Sequence, residues 1–237
     1  MSTIRPVGNR GTHLSEPIEY GRSVIGNCLE YWPSASGETD VLIISGIHGE
    51  EPDCTVILSK AMRMLDAMPE RTAIVTCANP DGINRGTRGN ANGVDLNRNF
   101  PTADWSSDSV THRWTIDCGN EVQLSSGEVG GSEPEATALI ELVEKLKPKQ
   151  LIALHGPLGW IDDPDDSKLA HWISEKTGLP VVADAGYPTP GSFGTWAAER
   201  GTPIITWEFP IEGIETMFHT TVPVLVELLS GAFTSPE

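Results

Sequence analysis

His48 and Glu51 stand three residues apart in Gly46-Ile47-His48-Gly49-Glu50-Glu51-Pro52, directly after the apolar run Val41-Leu42-Ile43-Ile44-Ser45. A chain that leaves a buried strand and at once sets an imidazole and two carboxylates on a glycine-flanked turn offers ligand types suited to a metal. If the turn rolls into a helix beginning near Pro52, the imidazole and the Glu51 carboxylate converge on one point. Zinc accepts both groups, and a catalytic zinc takes three protein ligands while leaving a fourth position open. His-x-x-Glu alone is a short pattern, and a polar turn after a strand is its ordinary alternative. A third ligand is required.

The run Gln150-Leu151-Ile152-Ala153-Leu154-His155-Gly156-Pro157 sets another histidine where an apolar strand stops. Alone, His155 would read as a satisfied core histidine; beside His48 and Glu51 it is the natural third ligand. His13, His112, His171 and His219 lack a comparable strand-end setting, and surface or packing roles suit them. Glu208 interrupts the apolar strand pattern Pro203-Ile204-Ile205-Thr206-Trp207-Glu208-Phe209-Pro210. A buried unpaired carboxylate is costly, so Glu208 is either partnered or placed where an altered pKa is useful. Beside a metal it would serve as a general base.

The most specific stretch is Asn79-Pro80-Asp81-Gly82, followed by Arg85, Arg88 and Asn92-Gly93-Val94-Asp95-Leu96-Asn97-Arg98-Asn99-Phe100. Here the sequence resembles the zinc carboxypeptidases. The resemblance implies one zinc ion per chain on His48, Glu51 and His155. It implies Glu208 as the base that takes a proton from the attacking water and delivers it to the departing amine. Asn97 and Arg98 resemble the pair that binds a substrate's terminal carboxylate, where a planar guanidinium makes two charge-assisted hydrogen bonds. Arg88 matches an arginine that stabilises charge developing on the scissile carbonyl, a contribution of roughly 3–4 kcal/mol for such a donor. Asp95 matches an acid that orients the first histidine, with a turn-capping aspartate as the alternative. Tyr187 resembles a mobile substrate-covering tyrosine, with a packing role as its alternative.

The resemblance spans about residues 18 to 233 and is strongest at 46–52, 79–101, 131–135 and 186–210. Digestive members of the family are longer. The Pro190-Gly191-Ser192-Phe193-Gly194-Thr195-Trp196 and Ser132-Glu133-Pro134-Glu135 stretches are similar to a short bacterial branch that acts on murein peptides. That branch implies hydrolysis of the γ-D-glutamyl–meso-diaminopimelate bond in L-Ala-γ-D-Glu-meso-diaminopimelate, in the cytoplasm, during cell-wall recycling. The small residues from Gly191 to Thr195 suit a polar, extended side chain rather than a large apolar one. Asp162, Asp163, Asp165 and Asp166 either offer an acid to a distant ammonium group or form a solvated turn and helix start. Two other readings stand beside this one. Aspartoacylase-type amidohydrolases also combine His-x-x-Glu with Asp-Leu-Asn-Arg, and a catalytically silent peptide binder would keep zinc for structure alone.

These residues need elements to hold them. Short β-rich runs near 28–33, 41–45, 72–78, 150–155, 180–184 and 203–209 alternate with amphipathic stretches near 52–67, 133–147, 166–177 and 214–230. That pattern predicts an α/β chain, which the resemblance specifies as one catalytic domain over 1–237 with a twisted mixed sheet flanked by helices. Strand ends at the carboxyl edge are where such folds gather chemistry. Ser132 and Glu135 read as a capping box opening a helix that stops before Pro148. Residues 100–131, carrying Trp105 and Trp114, read as a long loop on the active-site rim.

Composition narrows the partners. With 33 acids against 16 bases, the formal net charge is −17, a field that repels phosphate backbones and anionic lipid heads. Nucleic acid and membrane are therefore excluded as partners, and an anionic substrate needs individually placed arginines. The N-terminal residues lack a secretory pattern, which predicts a cytoplasmic protein. The four cysteines (Cys28, Cys54, Cys77, Cys118) form no Cys-x-x-Cys pair and read as buried free thiols. Oligomeric state is not legible.

Overall fold

The computed structural model describes residues 4–113 and 121–233, so Trp114 and Cys118 lie outside the described residues. In chain order the elements begin with a hairpin of β1 (Ile18–Arg22) and β2 (Cys28–Tyr31), then β3 (Val41–Ser45), α1 (Pro52–Met64), β4 (Thr72–Val75) and the short α2 (Pro80–Ile83). A second hairpin, β5 (Val110–Arg113) and β6 (Glu121–Leu124), precedes α3 (Pro134–Leu146), β7 (Gln150–His155), β8 (Trp160–Asp162), α4 (Lys168–Thr177) and β9 (Val181–Val182). The chain continues through α5 (Phe193–Glu199), β10 (Ile204–Glu208) and α6 (Ile214–Leu229). Among the described residues no helix is long and apolar enough to cross a membrane.

Six strands form one mixed sheet in the order β4-β3-β7-β10-β8-β9. The four from β4 to β10 run parallel, and β8 runs antiparallel to β10. Their apolar runs are continuous because both faces are covered. Ile43, Ile152, Leu154, Ile205 and Trp207 face the core packed by α1, α4 and α6. Leu42, Ile44, Leu151, Ala153 and Ile204 face the opposite core with α3 and α5. The two-residue period of a strand makes this division, and it continues to the strand ends. His155 and Glu208 follow Ala153 and Ile204 on the second face. Their neighbours Leu154 and Trp207 anchor the first, where Leu154→Ala would cost about 2–5 kcal/mol.

Helix α1 begins directly beyond Glu51, with Pro52 in its first turn and Asp53 beside it; both choices suit a helix start, one by its fixed φ and the other by its charge. The capping box expected at Ser132 is not formed. The residue before α3 is Glu133, whose side chain makes no capping bond. Ser132 Oγ instead donates to Glu133 Oε1, and Glu135 accepts from Val24 N and Asn90 Nδ2. Tertiary partners outbid the local cap. The expected loop over 100–131 contains the β5–β6 hairpin, and β1, α2, β8 and α5 were not signalled by periodicity. Of the cysteines expected to be buried, Cys54 is, Cys77 is half-buried and Cys28 is exposed on the β1–β2 hairpin.

Candidate metal centre and active site

His48, Glu51 and His155 are brought together at the carboxyl edge of the sheet, with one ligand atom from each lying within 4.8 Å of the others. His48 Nδ1 is 2.7 Å from Glu51 Oε1, His155 Nδ1 is 3.0 Å from Glu51 Oε2, and the two Nδ1 atoms are 3.2 Å apart. Ring nitrogens turned toward each other over a carboxylate share a need for a cation between them. The turn that allows this depends on Gly49, where a β-carbon would fall 2.0 Å from the Gly82 carbonyl carbon and 2.4 Å from the Thr87 oxygen. No side chain fits there.

Asp95 is fully buried. Oδ1 accepts from Asn97 N at 2.9 Å, capping the short 3-10 turn Leu96–Arg98, and lies 3.2 Å from His48 Nε2. The Nε2–Asp95 contact leaves Nδ1 as the ring atom directed at the ligand cluster. Burial and the Arg88 charge oppose a proton on His48, but Glu51 and Asp95 outweigh them and hold the imidazole at about 9. Burial alone would raise Glu51; the two imidazoles prevail and hold it well below the usual carboxylate range. The cluster is thus built to attract positive charge, and its donor set fits zinc.

Glu208 sits one strand from His155, paired with it in the β7–β10 register. Among the described residues its carboxylate has one donor, Leu158 N at 3.4 Å from Oε2. Burial, seconded by the Glu51 charge and offset in part by His155, raises its pKa. Arg88 donates from Nε to Asp95 Oδ2 at 2.8 Å and from Nη1 to Glu50 Oε1 at 2.9 Å, and Nη1 lies 3.5 Å from Glu51 Oε1. Burial opposes its charge, but Asp95 and Glu51 more than compensate.

Asn97 and Arg98 line a cavity of about 410 Å³ that opens from the metal-ligating group. Asn97 Oδ1 accepts from Phe193 N, the first residue of α5, at 2.8 Å. Arg98 donates from Nη1 to the Asn97 carbonyl and pairs with no carboxylate among the described residues. Its backbone is pressed by Gly191, where a β-carbon would fall 2.4 Å from the Arg98 carbonyl oxygen. Tyr187 stands at the rim, 53% exposed, in the loop before α5.

Sequence reasoning missed three contributors. Glu50, the acid beside Glu51 in the glycine-flanked turn, ties Arg88 to the β5–β6 hairpin, since His112 Nε2 on β5 lies 2.8 Å from Glu50 Oε1; that hairpin, expected on the rim, contributes no residue to the cavity lining. Asp184 lines the cavity without any sequence signal, and Trp160 does so opposite Glu208 in the register of β8 and β10.

Two histidines and a glutamate at the carboxyl edge of a mixed sheet, with a partly buried acid one strand away, define a class: the chain belongs to the zinc carboxypeptidase family, whose signature matches residues 4–161. Members are zinc-dependent hydrolases of peptide bonds. The chain is 42% identical to murein peptide amidase A of Escherichia coli (strain K12) over 89% of its own length and 88% of that protein's. It is also 42% identical to murein peptide amidase A of Vibrio campbellii over 96% and 92% of the two chains. The crystal structure of a murein-tripeptide amidase from Escherichia coli O157 superposes with a TM-score of 0.94 at 38% identity, covering 100% of both chains. Carboxypeptidase A from Helicoverpa armigera shares the fold, with a TM-score of 0.66 at 16% identity over 94% of this chain and 70% of that one.

Proposed function

We propose that this protein is a cytoplasmic, single-domain amidase that cleaves the γ-D-glutamyl–meso-diaminopimelate bond of the murein tripeptide L-Ala-γ-D-Glu-meso-diaminopimelate. The observation that carries the reading is the 42% identity to murein peptide amidase A along nearly the whole of both chains. The geometry is compatible with it at each step.

A zinc ion on His48, Glu51 and His155 would polarise the scissile carbonyl and make water a competent nucleophile near neutral pH. The protein's own groups do the rest. Arg98, which pairs with no carboxylate among the described residues, binds the diaminopimelate carboxylate next to the scissile amide, and Asn97 is held in place for the same task by Phe193 N. Glu208, with a single long hydrogen bond among the described residues, keeps lone pairs free to take a proton from water. The same carboxylic acid then protonates the leaving nitrogen. Arg88 adds a fixed positive charge facing the developing oxyanion, its orientation set by Asp95 and Glu50. Tyr187 closes over the bound peptide from the rim.

The test is product analysis by mass spectrometry. Zinc-loaded enzyme is given the tripeptide, its lysine analogue, N-acetyl-aspartate and a dipeptide with a free C-terminus, with chelated enzyme as control. Release of free diaminopimelate, lost on chelation, is the expected result. Cleavage confined to N-acetyl-aspartate or the dipeptide would discard the murein substrate, and no cleavage anywhere would favour a silent binder.

A further inference from the structure

The stretch Ser132-Glu133-Pro134-Glu135 forms no helix cap, yet it sets two buried acids against the loop that runs from Arg88 to Asp95. Among the described residues neither acid pairs with a lysine, arginine or histidine. Glu133 Oε2 accepts from Asn90 Nδ2 at 2.7 Å and from Asn92 Nδ2 at 2.8 Å, and Oε1 accepts from Ser132 Oγ at 2.9 Å. Glu135 Oε2 accepts from the same Asn90 Nδ2 at 3.0 Å, and its Oε1 from Val24 N at 3.0 Å. Two carboxylates buried without a counter-ion are costly, and a polar network with all its members hydrogen-bonded rigidifies what it holds.

What it holds is Asn90, itself buried. An amide has one donating and one accepting end, so two acids on Nδ2 fix which way the side chain faces. Oδ1 is left to accept from Asn92 N at 3.1 Å and Val94 N at 3.2 Å, while Asn90 N donates to Val94 O at 3.0 Å. Both polar groups of Val94 are thereby clamped, directly before Asp95. On the other side Gly89 has no slack, since a β-carbon there would fall 2.8 Å from the Val94 oxygen. Arg88 precedes Gly89, and its Nε closes the loop on Asp95 Oδ2. The acids therefore set the path of the chain between the arginine and the aspartate that meets it. Glu133 serves the neighbouring turn through its backbone alone, N donating to Asn99 Oδ1 at 3.0 Å beside Arg98. Neither Glu133 nor Asn90 lines the cavity.

We propose that Glu133, acting through Asn90, is a positioning residue for the hydrolysis: it fixes where the Arg88 guanidinium stands without touching the peptide. This rests on the amidase reading above, in which Arg88 faces the developing oxyanion. The side chain serves the Arg88 loop and the backbone the Arg98 turn, so a change of side chain should act on kcat and spare KM.

The experiment is a double-mutant cycle on the tripeptide with zinc-loaded enzyme, zinc content and thermal unfolding being followed in every variant. Glu133→Ala should lower kcat roughly ten- to hundredfold, the cost of misplacing a reacting group by about an ångström, with little change in KM. In an Arg88→Ala background the same substitution should cost almost nothing, because the group it positions is gone. Glu133→Gln keeps an oxygen for both asparagine amides and should recover most of the lost rate. Equal losses with and without Arg88 overturn the assignment, as does a Glu133→Gln enzyme as slow as Glu133→Ala. Where Glu133→Ala does not fold, Asn92→Ala decides, since Asn92 is exposed and its loss removes one arm of the network. A drop in kcat confined to the enzyme that keeps Arg88 supports the proposal; no drop, or the same drop in both backgrounds, overturns it. If wild type leaves the tripeptide intact, the amidase reading falls and takes this inference with it, an outcome distinct from cleavage with additive losses.

Discussion

His155 and Glu208 are register partners at the ends of adjacent parallel strands, one facing the metal-ligating cluster and the other set just outside it. Neighbouring positions on one face give two acid–base groups different duties. His155 shares Glu51 with His48, whereas among the described residues Glu208 has only the Leu158 amide.

Glu208→Gln tests that division. The amide keeps the shape and the Leu158 contact but cannot take a proton, so kcat should fall roughly 10²–10⁴-fold, the usual weight of general acid–base catalysis. Bound zinc, measured by atomic absorption, should stay at one ion per chain. Retained turnover would sink the base assignment.

Arg98→Ala should raise KM for peptides with a free carboxylate beside the scissile bond by roughly ten- to hundredfold. Carboxamide-capped peptides should respond far less, because they offer no charge to lose. Equal effects on both kinds would show that Arg98 supports the loop rather than the substrate.

Asp95→Asn removes the charge that orients His48 and balances Arg88. Zinc affinity should drop about 10–100-fold, as it does when partners behind a metal ligand are lost. Competition with a chromophoric chelator reads this directly, and unchanged affinity would leave Asp95 its bonds to Asn97 N and Arg88 Nε without a part in zinc binding.

Asp162 makes a pH-dependent prediction. Its folded pKa of about 6 lies above the ordinary 3.8, so its favourable contribution is complete below 3.8 and lost as pH rises through about 6. Asp162→Asn should therefore unfold at a higher temperature than wild type at pH 8, with the gap closing by pH 4. A pH-independent difference would contradict the strained carboxylate.

Gly49→Ala tests the turn itself. The new methyl meets Gly82 and Thr87 backbone rather than a movable side chain, so overpacking should destabilise the fold by at least ~1–3 kcal/mol and loosen zinc. Unchanged melting and metal content would show that the loops yield.

Much of this was legible in the chain because it rests on local order. A strand followed at once by His48 and Glu51, another ending in His155, and an acid at the end of Ile204-Ile205-Thr206-Trp207 each announce themselves through apolar runs broken by a polar group. Period-two alternation and the parallel pattern then confine them to one edge. What the chain alone left open was decided by contacts between distant segments. Asp95 Oδ1 meets both the Asn97 amide and His48 Nε2, while Oδ2 takes Arg88 Nε from another stretch of the chain. Glu50 meets Arg88 and His112 only after the β5–β6 hairpin folds across. Glu135 abandons the expected cap for Asn90 and Val24. Asp162 and Asp163 are adjacent in sequence yet unlike in environment, since one faces the cavity and the other the helix start that it bonds. Sequence determines which chemistry is present and where strands end; burial and long-range pairing decide which charges are left free to act.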